Sequence, residues 1–149
     1  MLNAALPLEL AMRSHTLRPQ ITIAHSEYAQ LLALAAAGSA ADTPSAAEAL
    51  LMEMERARVV PDAKLKPDVV RMSSRVQYRT DRDDLVDVTL VFPAHADISQ
   101  GKVSVLTPIG AALVGLRTGQ SITWHSRDGR KHVLTVLEVF QPSQDPVEA

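Results

Sequence analysis

Residues 98–120, ISQGKVSVLTPIGAALVGLRTGQ, decide how this chain is read. Lys102 to Leu106 has the composition of a short strand, and it runs into Thr107-Pro108 and then a compact apolar segment. Thr107 suits a helix N-cap, because its hydroxyl can accept a hydrogen bond from a backbone N–H that has no partner within the helix. Pro108 suits the first helical position, where its missing N–H removes nothing and its fixed φ is already helical. Ile109, Ala112, Leu113 and Leu116 recur at helical spacing and predict about two turns with one apolar face. Gly115 and Gly119 offer left-handed stops. A strand, a cap and a small helix closing a sheet form a structural unit; the stretch holds no nucleophile, paired carboxylates or phosphate cradle.

Outward from this unit the chain falls into segments. Residues 1–20 read as an arm ending near Pro19, and Ile21 to Ile23 as a short strand or an extended lead-in. Ser26 is the expected cap of a helix to about Ala37, with Tyr28, Leu31, Leu32 and Ala35 on one face. Gly38 to Pro44 breaks it. Ser45 and Glu48 have capping-box spacing, and a second helix to about Val59 shows Ala47, Leu50, Leu51, Met54 and Ala57 on one face. Two such helices joined by a short polar loop predict an antiparallel hairpin over residues 21–60. After the Pro61 to Pro67 linker the period changes to two. Val70, Met72, Ser74, Val76 and Tyr78 alternate with Arg71, Ser73, Arg75, Gln77 and Arg79, as in a strand with one face toward a core. Thr80 to Asp84 is a turn into a partner strand carrying Val86, Val88, Leu90 and Phe92. Further strands are expected at Ser121 to His125 and His132 to Phe140, joined through Asp128-Gly129. Residues 142–149 read as a mobile tail.

Composition narrows the function. The chain has 149 residues, 46% of them apolar, and a formal net charge of −2. That is enough apolar content for a core, and the charge balance argues against a generally nucleic-acid-binding surface. With no cysteine there is no disulfide frame or thiolate metal site, which fits a reducing cytoplasm. No apolar run approaches the roughly 18 residues that would span a bilayer, and MLNAALPLELAMR, with Glu9 inside it and no leading basic residues, is a poor secretory signal.

The candidates for chemistry are few. A two-residue turn at Asp128-Gly129 would set His125 opposite His132. No third ligand is placed beside them and a one-residue slip separates them, so solvent-facing histidines are preferred to a metal site. Asp81, Asp83 and Asp84 read as a solvated turn, and Glu53 and Glu55 as outer-face charges. Arg71, Arg75 and Arg79 repeat every four residues and would share one strand face. They read either as a solubilising face, partly neutralised by Asp87, or as a dock for an acidic protein surface; nucleic acid is disfavoured because no aromatic residue interleaves with them. No catalytic residue, cofactor, metal or small-molecule substrate emerges.

Several separate motifs carry a resemblance. Ile98-x-x-Gly101-Lys102-Val103-Ser104-Val105, Thr107-Pro108-Ile109, Ala112-Leu113-x-Gly115, Gly119 and Val136-Leu137-Glu138-Val139 resemble the C-terminal domain of the bacterial Gre transcript-cleavage factors, which has an FKBP-like fold. Asp68-Val-Val-Arg-Met72-x-Ser74-Arg75-Val76-x-Tyr78-Arg79, Leu90-Val-Phe-Pro93-Ala94 and Gly110-Ala-Ala-Leu-Val-Gly-Leu-Arg117-x-Gly119 are similar to a narrower relative, the nucleoside diphosphate kinase regulator (Rnk) family. The resemblance covers about residues 45 to 140. It implies an α+β chain, in which a short antiparallel helical hairpin (a coiled coil) precedes an FKBP-like antiparallel β-sheet domain with one short helix over residues 61–141.

It also implies a cytoplasmic accessory protein, not an enzyme, that binds RNA polymerase at its secondary channel and competes with Gre factors. The Gre docking loop corresponds to Leu106, Thr107, Pro108 and Ile109, with Arg75 and Arg79 as nearby charge. Leu106 stands where some cleavage factors have an acid, so the docking contacts would differ in detail. Gre hairpins are long and carry tip acids that hold the catalytic metal. Here the tip is Gly38 to Pro44 with Asp42 as its one acid, which argues against transcript cleavage. A regulator of nucleoside diphosphate kinase, or of nucleotide metabolism, is the alternative implied by the family name. A prolyl isomerase is a further one, disfavoured because Phe92 and Trp124 are needed by the core and few other aromatics remain to line a pocket.

Overall fold

The described part of the chain opens on a contact with a distant strand. In the computed structural model, which describes residues 17–38 and 44–142, Leu17 accepts a hydrogen bond at its carbonyl from the Thr123 N–H at 3.0 Å, and its own N–H donates to the Thr123 hydroxyl at 2.9 Å. Strand β1 (Thr22–Ala24) leads directly into helix α1 (His25–Gly38); helix α2 (Pro44–Arg56) is followed at once by strand β2 (Arg58–Val60). β1 and β2 pair in parallel, Thr22 opposite Arg58, so the entry to one helix and the exit from the other are fastened together. The two helices pack on each other through Leu31 and Ala35 of α1 and Leu50 and Met54 of α2, all buried. Their spacing is that of one apolar face, as expected.

Three local expectations are corrected. α1 begins at His25, and Ser26 instead hydrogen-bonds the Asp62 carboxylate with both its N–H and its hydroxyl. α2 begins at Pro44, so Ser45 sits inside the first turn; it stops at Arg56, three residues early, because residues 58–60 are drawn into strand pairing. The hairpin tip, residues 39–43 with Asp42, lies outside the described residues, as do the arm up to residue 16 and the tail from 143.

The second half forms a five-stranded sheet from β3 (Arg75–Thr80), β4 (Leu85–Val91), β5 (Lys102–Ser104), β6 (Ser121–His125) and β7 (Lys131–Phe140), in the order β5-β4-β3-β7-β6. Only the β4–β5 pairing is parallel. Helix α3 (Pro108–Leu113) crosses from β5 toward β6 and packs on α2 as well as β6. One core unites these parts: Ile21, Leu31, Leu50, Val76, Leu90, Leu113, Leu134 and Val136 are at most 1% exposed and belong to a single apolar cluster. The architecture is α+β, a few helices with a curled mixed sheet. Among the described residues no helix is long and apolar enough to cross a membrane.

The strand expected from Val70 is shorter than its alternation suggested. Val70, Met72, Val76 and Tyr78 are all buried, yet pairing begins at Arg75. Ser73, at φ 74°, breaks the extended backbone, and Ser74 turns inward to donate its hydroxyl to the Gln141 side chain at 2.7 Å. Gln141 in turn donates its amide to the carbonyls of Pro67 and Val69. Residues 67–74 are therefore an ordered loop, held by side chains from the far end of the chain.

Candidate functional site

The loop from Leu106 to Ile109 is held from both sides. Thr107 is the N-cap of α3, in extended conformation (φ −127°, ψ 160°), and its hydroxyl accepts from the Gly110 N–H at 3.1 Å. The same hydroxyl donates to the Ser104 carbonyl at 2.6 Å, and the Ser104 hydroxyl accepts from the Leu106 N–H at 3.0 Å. Two short side chains thus fix the bend between β5 and α3. Gly110 makes the bend possible. A Cβ placed there would lie 2.1 Å from the Ser104 carbonyl oxygen and 2.8 Å from the Val105 Cα, so helix and strand meet backbone to backbone. At the other end Gly115 takes φ 85°, while its N–H donates to Val70 and its carbonyl accepts from Thr22. The cap and the left-handed stop are those the sequence predicts.

All four loop residues are half-buried. Leu106 and Ile109 lean on the core, and Pro108 forms part of the wall of a mostly apolar cleft of about 480 Å³ between α2, α3 and β6. Ala49 and Met52 of α2, Ala112 of α3, and Ile122 and Trp124 of β6 complete its apolar lining. Its polar lining includes Thr123, His125, Ser126 and Arg127 on the β6 side, and Glu53 with Arg18 on the α2 side. Glu53 was expected on the outer face of α2; it is instead nearly buried, 2.6 Å from Arg56 and 3.4 Å from Arg18. Arg56 also donates to the Pro19 carbonyl, so this ion-paired group ties the entering chain to α2. The i,i+3 spacing on α2 allows the Arg56 pair, but it gives no sign of Arg18, which lies on a segment with no regular structure.

The three arginines do not share a face. Arg71 lies in the loop before β3 and pairs with Glu27 of α1 at 3.0 Å, whose other oxygen accepts from the Met72 N–H at 3.2 Å. Arg75 and Arg79 do sit on the exposed face of β3. Arg75 is already engaged: it donates to both Asp87 oxygens at 3.0–3.2 Å, and its guanidinium lies 4.7 Å above the Phe140 ring. Hydrogen bonding from Arg75 lowers the Asp87 pKa, and the same contact raises that of Arg75. Arg79 has no such partner among the described residues, so it is the free charge of the pair.

The histidine pair is also corrected. The β6–β7 connection is five residues long, from Ser126 to Arg130, so the register sets His125 opposite Lys131 and Trp124 opposite His132. The two histidines alternate across the hairpin. Trp124 and His132 stack, with ring centroids 4.7 Å apart. Among the described residues no group of His, Cys, Asp or Glu could hold a metal ion.

With this geometry in hand, comparison with known proteins is informative. Residues 65–141, the sheet and α3, match the family described as "Transcription elongation factor, GreA/GreB, C-term", the class that this sheet, cap and helix define. Residues 19–60, the two helices with β1 and β2, match "Rnk N-terminus". The chain is 45% identical over 98 residues to the regulator of nucleoside diphosphate kinase of Escherichia coli (strain K12), an alignment covering 64% of this chain and 72% of that one. It is 32% identical to the elongation factor GreA of Rhodospirillum rubrum, over 86% of this chain and 87% of that one. A solved GreA/GreB elongation factor from Nitrosomonas europaea superposes with a TM-score of 0.63 at 32% identity, covering 83% of this chain and 99% of that one. The chain belongs to the nucleoside diphosphate kinase regulator (Rnk) family, which is related to the GreA/GreB elongation factors. Family membership supports a role like that of a transcription factor or of a regulator of nucleoside diphosphate kinase, and these relatives are named as regulators or elongation factors, not as enzymes.

Proposed function

We propose that this protein is a cytoplasmic accessory factor that docks on RNA polymerase at the secondary channel, does not promote transcript cleavage, and competes there with Gre factors. The observation that carries the reading is the loop Leu106, Thr107, Pro108 and Ile109, pinned by its Ser104 and Thr107 hydrogen bonds beside an apolar cleft. A loop already held in one conformation loses little entropy when a partner binds it. Arg79, solvated and unpaired, supplies orientation and association rate more than affinity. Arg75 contributes less, since its charge is already engaged by Asp87, which also accepts from Gln77. In this reading residues 21–60 act as a short antiparallel coiled coil and residues 61–141 as an FKBP-like domain, flanked by an arm over 1–20 and a tail over 142–149. The arms, 14 and 13 residues long, extend roughly 20 Å at 1.5 Å per residue, which suits occupying the channel entrance without reaching an active centre.

The test is competition between this chain and a Gre factor for core RNA polymerase, run beside cleavage assays on backtracked complexes. Displacement of the Gre factor without RNA cleavage is expected. Cleavage that disappears with Asp42→Ala would refute the accessory reading. Action on nucleoside diphosphate kinase, the second reading, is favoured by the name of the 45%-identical relative; direct binding to purified kinase in the absence of polymerase tests it. Prolyl isomerisation is not favoured, because among the described residues Trp124 is the one Phe, Tyr or Trp side chain lining the cleft beside Pro108.

A further inference from the structure

On the side of the molecule where β1 and β2 pair, a second cleft of about 410 Å³ gathers four cationic side chains: Arg58, Lys64, Lys66 and Arg117. Among the described residues no acidic side chain lines it. Five arginines elsewhere are neutralised: Arg18, Arg56, Arg71, Arg75 and Arg130 each have a carboxylate within 4 Å, though Arg79 has none among the described residues. The four cations of this cleft have none among the described residues. The acids nearest in sequence are withheld from it. Asp62 is bound by Ser26 on α1, and Asp68 is half-buried, with one carboxylate oxygen covered and without a hydrogen-bond partner among the described residues. In a chain of net charge −2, four unpaired cations around one concavity concentrate a positive potential that solvation alone does not require.

The backbones that carry these charges are fixed. Arg58 lies in β2, its N–H donated to Ile21 at 2.9 Å; Lys64 closes a 3₁₀ turn on Pro61 at 2.8 Å. The Lys66 carbonyl accepts from Val69, and Val69 bridges to Arg117, whose N–H donates to Gln120. Thr22, opposite Arg58 in the β1–β2 pairing, adds a hydroxyl to the wall. The apolar lining is Val59, Val60, Pro61 and Val69, with no aromatic ring on which a base could stack. Several cations and one hydroxyl around a small concavity suit a compact ligand with several anionic oxygens, for which charge-assisted hydrogen bonds are strong. An extended acidic peptide would spread its charge beyond the cleft.

We propose that this cleft binds the di- or triphosphate chain of a nucleotide, reading the phosphates and not the base. The assignment is independent of the polymerase-docking reading, because none of its four cations belongs to the docking loop or to the exposed face of β3. The experiment is calorimetric titration of the full chain with inorganic tripolyphosphate, ATP, GTP and UTP at low and physiological salt, repeated with Lys64→Gln, Arg117→Gln and their combination. Expected is saturable one-to-one binding with similar affinity for the three nucleotides, weakened roughly tenfold by each substitution, the scale of one hydrogen bond to a charged group. Both substituted residues are exposed, so unchanged melting temperatures are the expected folding control. Arg82→Gln, in the β3–β4 turn, should bind like the unsubstituted chain. Absence of saturable binding at low salt overturns the proposal, as does undiminished binding by the folded double variant. A single-stranded RNA oligonucleotide provides the last arm: if it occupies the cleft and tripolyphosphate does not displace it, the site reads a nucleic-acid backbone and the nucleotide assignment is wrong.

Discussion

Replacing Gly110 by alanine sets two physical rules against each other. By helix propensity alone, a helical Gly→Ala change stabilises by up to about 1 kcal/mol. Here the new Cβ would sit 2.1 Å from the Ser104 carbonyl oxygen, and ordinary contact begins near 3.4 Å, so α3 and β5 must separate by roughly 1 Å. The obstacle is backbone on both sides, with no flexible side chain to yield. Overpacking of this kind costs about 1–3 kcal/mol and sometimes more. It would also lengthen the Thr107–Gly110 capping bond, itself a contribution of about 1 kcal/mol. Netting these against the propensity gain, Gly110→Ala should destabilise by about 1–3 kcal/mol. At about 2–4 °C per kcal/mol for a chain of this size, the melting temperature should fall by roughly 2–12 °C. Urea unfolding with a fitted midpoint and slope, beside a thermal melt, measures it. A variant as stable as the natural chain, or more so, would refute the close approach and with it the view that Gly110 holds the loop in position.

Glu27→Gln should cost about 1–3 kcal/mol, because it unpairs Arg71 and weakens the bond to the Met72 N–H at a site where Glu27 is largely covered; a double-mutant cycle with Arg71→Gln by urea melts should recover most of that as coupling. Pro108→Ala should change folding by about 1 kcal/mol or less and yet weaken polymerase binding, read by melts and competition side by side. Arg79→Glu should leave the melt unchanged and slow association at low salt, whereas Arg75→Glu should also lower the melting temperature slightly by facing Asp87 with a like charge, an effect limited by the exposure of the pair; equal association rates for Arg79→Glu and the natural chain would move docking off the exposed face of β3. The Asp87 carboxyl is held below the usual carboxylate range by the Arg75 hydrogen bonds. Its contribution is therefore present above the unfolded value of about 3.9 and lost as pH falls through the lower folded value. Asp87→Asn should flatten that acid limb of the urea midpoint against pH, by an amount limited by the exposure of the pair.

What the sequence disclosed followed the range of the interactions involved. The Thr107 cap and Pro108 at the first helical position act within four residues, and the structure has both. The buried faces of α1 and α2 follow from spacing alone. The β6–β7 register was missed because a two-residue turn at Asp128-Gly129 and a five-residue loop differ only in how Ser126 is used: its N–H donates to the Arg130 carbonyl and its hydroxyl to Asp128. The early end of α2 and the broken start of β3 depend on partners distant in sequence, Thr22 to Ala24 for one and Gln141 for the other. Alternation predicted correctly which residues near Val70 are buried, but burial does not fix whether their backbone is paired. The capped loop from Leu106 to Ile109 was visible as a motif. The Glu53 ion pairs and the four-cation cleft were not, since chain segments with no common period converge on them.

The hydrogen bonds between Leu17 and Thr123 constrain how anything can attach to this sheet. β6 and β5 are its two outer strands. Leu17 occupies the middle of the first, and the second is three residues long before the chain bends at Ser104 into the capped helix. Neither border leaves a long open row of N–H and C=O groups, the feature that lets a foreign strand extend a sheet or lets copies of a protein zip together. In the proposed docking reading, a partner would therefore grip side chains and the preformed loop. Recognition of that kind would depend on surface shape and charge, so that single substitutions at Pro108 or Arg79 would retune it while the backbone framework stays the same.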